Sequence, residues 1–315
     1  MSLNNTSTEA LPQKPALGAA LMVGAMVVLP MMDSAVKLLM ESLPFPQVVF
    51  LRYIAMTLII LPIILFLYKK EEILRVERPV MQIIRGALMF AATFLFFGAI
   101  NAMPLADAVA LAFVAPMLTT VLSALFLKEQ VGFRRYAAVF IGFIGVLIII
   151  RPGTETFSVP AMMALGCSLA MGFFNIVTRS IASSSPPLIS LFYTGVTGSI
   201  MGAFVAPFFW EPMVASHFGL AAVIGTLGMF GHGLLIMSFR YGEASFVAPF
   251  IYFEMITATV LGYLVFGDFP DQWVWVGVSI LVISGIYTNY RERSHKLPVS
   301  PPKHPAPLDD QDRSA

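Results

Sequence analysis

Along most of this chain, apolar stretches of about twenty residues alternate with short polar breaks, a pattern with neither the period of a half-buried strand nor that of a surface helix. The segment at 101–152 shows the unit. An apolar run at 105–127 carries no basic side chain, a charged turn follows with Lys128, Glu129, Arg134 and Arg135, and a second apolar run fills 136–150. At about 1.5 Å rise per residue, a helix of about twenty residues crosses a hydrocarbon layer of about 30 Å. The segment therefore predicts a membrane hairpin with a wet, basic turn. Gly142 and Gly145 in its second arm give the small-residue spacing that lets two helix backbones approach where lipid supplies no drive to associate.

The second half of the chain repeats this unit. With Ala106 set against Ala244, Val109, Ala110, Met117 and Thr119 fall opposite Val247, Ala248, Met255 and Thr257. Glu129 lands one residue from Asp268, and Gly145 to Ile148 resembles Gly285 to Thr288. Ten spans are predicted, at 16–40, 46–68, 83–103, 105–127 and 135–150, then 160–181, 188–210, 218–239, 244–266 and 273–290. They group into a first repeat at 16–151 and a second at 160–290. Tails at 1–15 and 291–315 are expected to be solvated, the second disordered, with prolines at 298, 301, 302, 305 and 307.

Orientation follows from the basic residues. Of 19 Lys and Arg, one face takes all but Arg151, Lys37 and Arg52. That face becomes the cytoplasmic one and holds both termini. Because each repeat has five spans, the second is inserted upside down: the turn with Arg134 and Arg135 lies inside and its counterpart around Asp268 and Asp271 outside. The fold class expected is all-α, a polytopic membrane protein of ten transmembrane helices in two inverted five-helix repeats.

Composition agrees. With 58% hydrophobic and 12% charged residues and a mean hydropathy of +0.83, no soluble fold could cover the apolar area. A net charge of +1 argues against a nucleic-acid partner. Cys167, the single cysteine, excludes an internal disulfide and reads as a buried, inert thiol. The N-terminal residues show no signal-peptide cleavage pattern. No phosphate loop, HExxH, CxxC or GxSxG is present, and His217, His232, His295 and His304 are too scattered for a metal site. No cofactor and no enzyme chemistry are expected; any coupling comes from an ion gradient or from exchange.

The run PLADAVALAFVAPMLTTVLSALFLKEQ and its partner ASFVAPFIYFEMITATVLGYLVFGDFPD resemble the EamA domain of the drug/metabolite transporter superfamily, over roughly residues 16 to 290. The resemblance implies a ten-helix inner-membrane carrier with a central cavity formed by spans one, three, four, six, eight and nine, and a homodimer through spans five and ten. The pattern Asp33 to Lys37 followed by Gln47 to Arg52 is most similar to members that import S-adenosylmethionine or riboflavin. The chain departs from the pattern in placing Glu254 where the first copy has Pro116, and Asp268 as the helix-end acid where the first copy has Glu129.

Ionisable groups at membrane depth cost several kcal/mol unless paired or hydrated, which makes each a candidate for substrate binding or coupling. Asp33 and Lys37, one turn apart, can neutralise each other on one face or serve the substrate. Arg52 can snorkel, pair with Asp33 or bind substrate. Glu254, mid-span with Tyr252 as its polar neighbour, fits a proton or cation site, or a structural bond between helices. His232, among Gly228, Gly231 and Gly233, reads as packed and hydrogen-bonded before it reads as a titrating group. Asp107 reads as a helix cap. Asn101, Asn175 and Tyr193 are expected at cavity depth, and Phe94 and Phe113 offer faces to a flat ring. The expected function is uptake of a water-soluble, ring-containing small molecule by alternating access, riboflavin first and S-adenosylmethionine as alternative. An amino-acid or drug exporter, a non-transporting membrane subunit and an intramembrane enzyme stand as further readings.

Overall fold

A lipid interior offers the backbone no hydrogen-bonding partner, so apolar segments of this length must satisfy their own N–H and C=O groups as helices. In the computed structural model, which describes residues 14–126, 133–154, 157–181, 185–242 and 244–295, the described residues form helices and connecting turns without a strand. The charged turn with Lys128 and Glu129 and most of both polar tails lie outside the described residues, as do the side chains of Arg134, Arg135 and Arg179.

The first half comprises α1 (Pro15–Met40), α2 (Phe45–Leu67), a short α3 (Lys70–Leu74), α4 (Pro79–Ile100), α5 (Leu105–Ala112), α6 (Ala115–Phe126) and α7 (Phe133–Ile150). The second comprises α8 (Val159–Ser180), α9 (Pro187–Val205), α10 (Ala215–Tyr241), α11 (Ala244–Val247), α12 (Phe253–Leu261) and α13 (Gln272–His295). Proline sits in the first turn of α1, α2, α4 and α9, where the N–H it lacks has no intrahelical partner anyway. Among the described residues eight stretches are long and apolar enough to cross a membrane, Leu105–Phe126 (α5 with α6) and Ala248–Phe266 (around α12) among them, and two shorter apolar helices cover Tyr136–Ile150 and Gln272–Tyr287. Leu58, Phe66, Phe140, Phe143, Phe204 and Ile256 face outward, an apolar exterior that only lipid would cover. The chain is a multi-pass membrane protein.

Two expected spans are interrupted. The run at 105–127 divides at Phe113 and Val114. The cause is Pro116: it has no N–H to give the carbonyl of Ala112, so the first ladder ends there. In the second half Pro249 acts alike, and between α11 and α12 the chain tightens into a 3-10 turn, Ala248–Tyr252. After α12 a π turn, Gly262–Phe266, closes on Gly267, whose φ of 73° only glycine adopts without strain.

Helix packing pairs the halves. The helix α1 lies against α10, α4 against α8, α2 against α9 and α7 against α13; α4 also touches α9, α2 touches α10, α6 touches α8 and α12 touches α1. Between α7 and α13 the backbones meet at Gly145 and Gly277, where a Cβ on Gly145 would stand 2.8 Å from the Gly277 carbonyl. Gly142 instead faces Met117. Cys167 is buried beside Ala92 and Ala170, as its sequence context predicts.

At one end of the bundle Lys37 Nζ binds Asp268 Oδ2 at 3.0 Å and donates to the Met103 carbonyl at 3.2 Å. Beside it Arg151 pairs with Asp271. The Gln47 side chain donates to the Glu211 carbonyl at 3.0 Å and accepts from its N–H at 2.9 Å. At the other end the Lys14 N–H donates to Tyr241 at 2.9 Å and Arg78 to the Ser180 carbonyl at 3.0 Å.

Candidate functional site

Midway along the bundle, α2 points Arg52 at α4. The guanidinium donates from Nη1 to Thr93 Oγ1 at 2.8 Å, and the Tyr53 hydroxyl meets the same Thr93 oxygen at 2.8 Å. Its Cζ lies 5.2 Å from the Tyr53 ring centre and 5.5 Å from that of Phe97. Arg52 is 5% exposed, and its Nε is buried without an acceptor. Guanidinium is the least hydrated of the cationic side chains, which suits it to a site walled by aromatic faces.

Two carboxylates share this region. Asp33, on α1, is 5% exposed, and Glu254, in the first turn of α12, is half-buried. Among the described residues neither has a hydrogen-bond or ion-pair partner. Asp33 lies within electrostatic reach of Arg52 and of Glu254, and α1 packs directly on α12. At the breaks in the two interrupted spans the Phe113 and Tyr252 rings meet edge to face at 5.1 Å. The second break ends just before Glu254, and backbone that is not regular α-helix is tolerated at membrane depth only inside protein or beside a cavity.

The structure brings Asp33 within electrostatic reach of Arg52 and Glu254 and sets Phe113 against Tyr252, and it sends other expected residues elsewhere. Lys37 does not neutralise Asp33. It reaches toward the bundle end, where Asp268 and the Met103 carbonyl satisfy it over the Phe266 ring, 4.7 Å away. The i,i+4 spacing permitted the Asp33 pair, but the long Lys37 stem snorkels outward to a wetter partner. Asn101 is exposed past the end of α4, on the wall of an open vestibule of about 520 Å³ with Glu41, Pro44, Phe45 and Glu211. Tyr193 points to α3, donating to the Ile73 carbonyl at 3.0 Å. Asn175 is held in the contact of α8 with α6 by donating to Thr119 Oγ1 at 3.1 Å. Phe94 stacks edge-on against Phe45 at 4.9 Å, between α4 and the start of α2. The His232 Nδ1 is 2.8 Å from the Gly228 carbonyl one turn earlier, a bond within its own helix. Asp107 makes no cap: its Oδ1 is buried without a partner at the outer start of α5.

Thr93 and Tyr53 were not legible as Arg52 partners, since they carry no charge. Arg85 is a second omission. Counted by sequence with the cytoplasmic loop, it lies within α4 and donates to Thr178 Oγ1 at 2.9 Å, the Ser190 carbonyl at 3.0 Å and Thr194 Oγ1 at 2.9 Å, under the Phe174 ring at 4.8 Å. Its depth of two turns beyond Pro79 was the available signal.

Comparison with known proteins places this geometry. A model of the EamA-like transporter family matches the chain twice, over residues 16–151 and 159–290. The S-adenosylmethionine uptake transporter of Rickettsia felis is 24% identical over 247 residues, 78% of this chain and 83% of that protein. A riboflavin transporter of Vibrio cholerae is 25% identical over 77% of this chain and 82% of its own length. The pseudopaline exporter CntI of Pseudomonas aeruginosa is 26% identical over 85% and 94%. A solved crystal structure superposes with a TM-score of 0.61 at 16% identity, covering 87% of this chain and 98% of the other, which speaks for the fold alone. Matched over both its halves, the chain belongs to the EamA-like transporter family.

Proposed function

We propose that this protein is a secondary carrier that takes up a water-soluble, ring-containing metabolite across the bacterial inner membrane by alternating access. Its two halves act as inverted five-helix repeats, with the two shorter apolar helices completing ten spans and both termini in the cytoplasm. The observation that carries the reading is the pair of unpartnered carboxylates, Asp33 and Glu254, beside the incompletely satisfied Arg52 at membrane depth. A passive scaffold gains nothing from the cost of holding them there. Exchange symmetry in the packing supports the repeat: swapping the halves turns the contact of α1 with α10 into that of α8 with α4, and α2 with α10 into α9 with α4. Asp271 pairs with Arg151, at the far end of α7 from Phe133, as an odd number of crossings per half requires.

The relatives' names supply two solutes for trial, riboflavin and S-adenosylmethionine, and the export direction is the competing reading. Growth rescue of a riboflavin-auxotrophic bacterium, run beside rescue of a strain that depends on external S-adenosylmethionine, tests both. Rescue of either supports uptake; rescue of neither, with the protein inserted in the membrane, overturns it. We propose also that α7 and α13, whose outer faces carry Phe140, Phe143 and Ile283, form the contact between two copies.

A further inference from the structure

The three ionisable groups of the central cluster do not balance. Arg52 supplies one positive charge, while Asp33 and Glu254 supply two carboxylates, and no ion pair or hydrogen bond joins the acids to any described residue. Helices from both halves bear them: Asp33 on α1 and Arg52 on α2, Glu254 on α12. Arg52 spends one donor on Thr93, an uncharged acceptor, and keeps Nε buried without one. A guanidinium is a fork of five donors matched to a carboxylate, so an arginine that meets a hydroxyl and leaves one buried donor without an acceptor is suited to an anion. The neighbouring acids call for positive charge, and the Tyr53 and Phe97 rings beside Arg52 provide apolar faces. A neutral heterocycle with hydroxyl groups would leave all three charges unmatched. An isolated anion or cation would match only part of them.

We propose that the solute carries a free α-amino-acid head, its carboxylate bound by Arg52 beside Thr93 and its positively charged part set against Asp33 and Glu254. This deepens the carrier reading and rests on it. Within the two solutes named above it selects S-adenosylmethionine, which has the head, a sulfonium and a ring, over riboflavin, which has a ring and a hydroxylated chain but neither the head nor a positive charge.

The test uses the full chain reconstituted in vesicles with labelled S-adenosylmethionine as the probe, competed by unlabelled S-adenosylhomocysteine, adenosine and riboflavin. S-adenosylhomocysteine, which keeps the head, is expected to compete at least about tenfold better than adenosine, which has the ring alone, since one charge-assisted contact decides between them. Arg52→Gln is expected to collapse that ratio toward one. The ratio is taken within one protein, so partial loss of folded material cancels. Should Arg52→Gln fail to fold, Arg52→Lys, which keeps the charge but loses the fork, and Thr93→Val are expected to shrink the ratio several-fold. Adenosine or riboflavin competing as well as S-adenosylhomocysteine, or a ratio untouched by these variants, overturns the proposal. Saturable riboflavin uptake that is indifferent to Arg52→Gln would sink the amino-acid head and leave the carrier standing. Absence of saturable flux for every solute in the panel would sink both.

Discussion

A carboxyl group on a lipid-spanning helix costs several kcal/mol unless something meets it. Asp33 and Glu254 are met by no described residue, whereas Lys37, Arg85, Asn175, Tyr193 and His232 each have a partner. That contrast is the ground for proposing Asp33 and Glu254 as working groups and the others as packing groups. Glu254→Gln, close to isosteric, is expected to reduce solute accumulation in cells to background while the protein still inserts at wild-type levels; undiminished accumulation would return Glu254 to packing. For His232, tied to its own helix through Gly228, His232→Phe is expected to leave the pH profile of uptake unchanged, and a displaced profile would make it a proton site. Part of this was open to reading from residues alone, because depth and charge pick out Asp33, Arg52 and Glu254. Partners were not. The Lys37 partner lies 231 positions away, and the i,i+4 rule pointed to a nearer one. Tyr193, expected at cavity depth, turns toward α3.

At the scale of elements, hydropathy located the helices, since the same apolar length that makes a span also fixes its ends within a few residues. The breaks at Phe113–Val114 and after Val247 escaped it. Hydropathy is continuous through them, and only the missing N–H of Pro116 and Pro249 marks the ladder as interrupted. The seam of α7 with α13 depends on Gly145 and Gly277 meeting backbone to backbone. Gly145→Leu is expected to push the helices apart and lower stability by about 1–3 kcal/mol, read as a drop in thermal midpoint in detergent; no change would mean the seam is loose. At one end of the bundle, Lys37 and Asp268 join α1 to the turn after α12. If this pair holds that end together, Lys37→Met and Asp268→Asn alter uptake by similar factors and the double variant by no more than either. Additive losses would show that the two act apart.

The turn before α13 gives a pH signature at the same scale. Partial burial pulls the Asp271 carboxyl up. Bonds from the Val274 N–H, Arg151 and the Trp273 N–H outweigh it and hold the group below the usual carboxylate range. A carboxyl lowered in the folded state adds stability that is fully present above its unfolded value, about 4, and is lost as pH falls through the folded one. Asp271→Asn, which keeps the cap and drops the charge, is therefore expected to melt slightly below wild type at neutral pH, with the gap closing on acidification below about pH 4. A gap that is constant with pH would assign it to something other than the charge.

For the molecule as a whole, the class was evident from composition, because an exterior this apolar has no solution other than lipid. The solute was not, because recognition depends on which charges remain unmatched after packing, and packing is set by contacts between the halves. The symmetric pairing of helices, the ion pair of Arg151 with Asp271 and the central cluster support the proposal of two modules rocking about a shared polar centre. Counterflow of labelled S-adenosylmethionine and labelled riboflavin into vesicles holding purified protein tests this most directly. The account predicts saturable entry of at least one solute above protein-free vesicles, abolished by Glu254→Gln. No saturable entry of either, or equal entry through the variant, would contradict it.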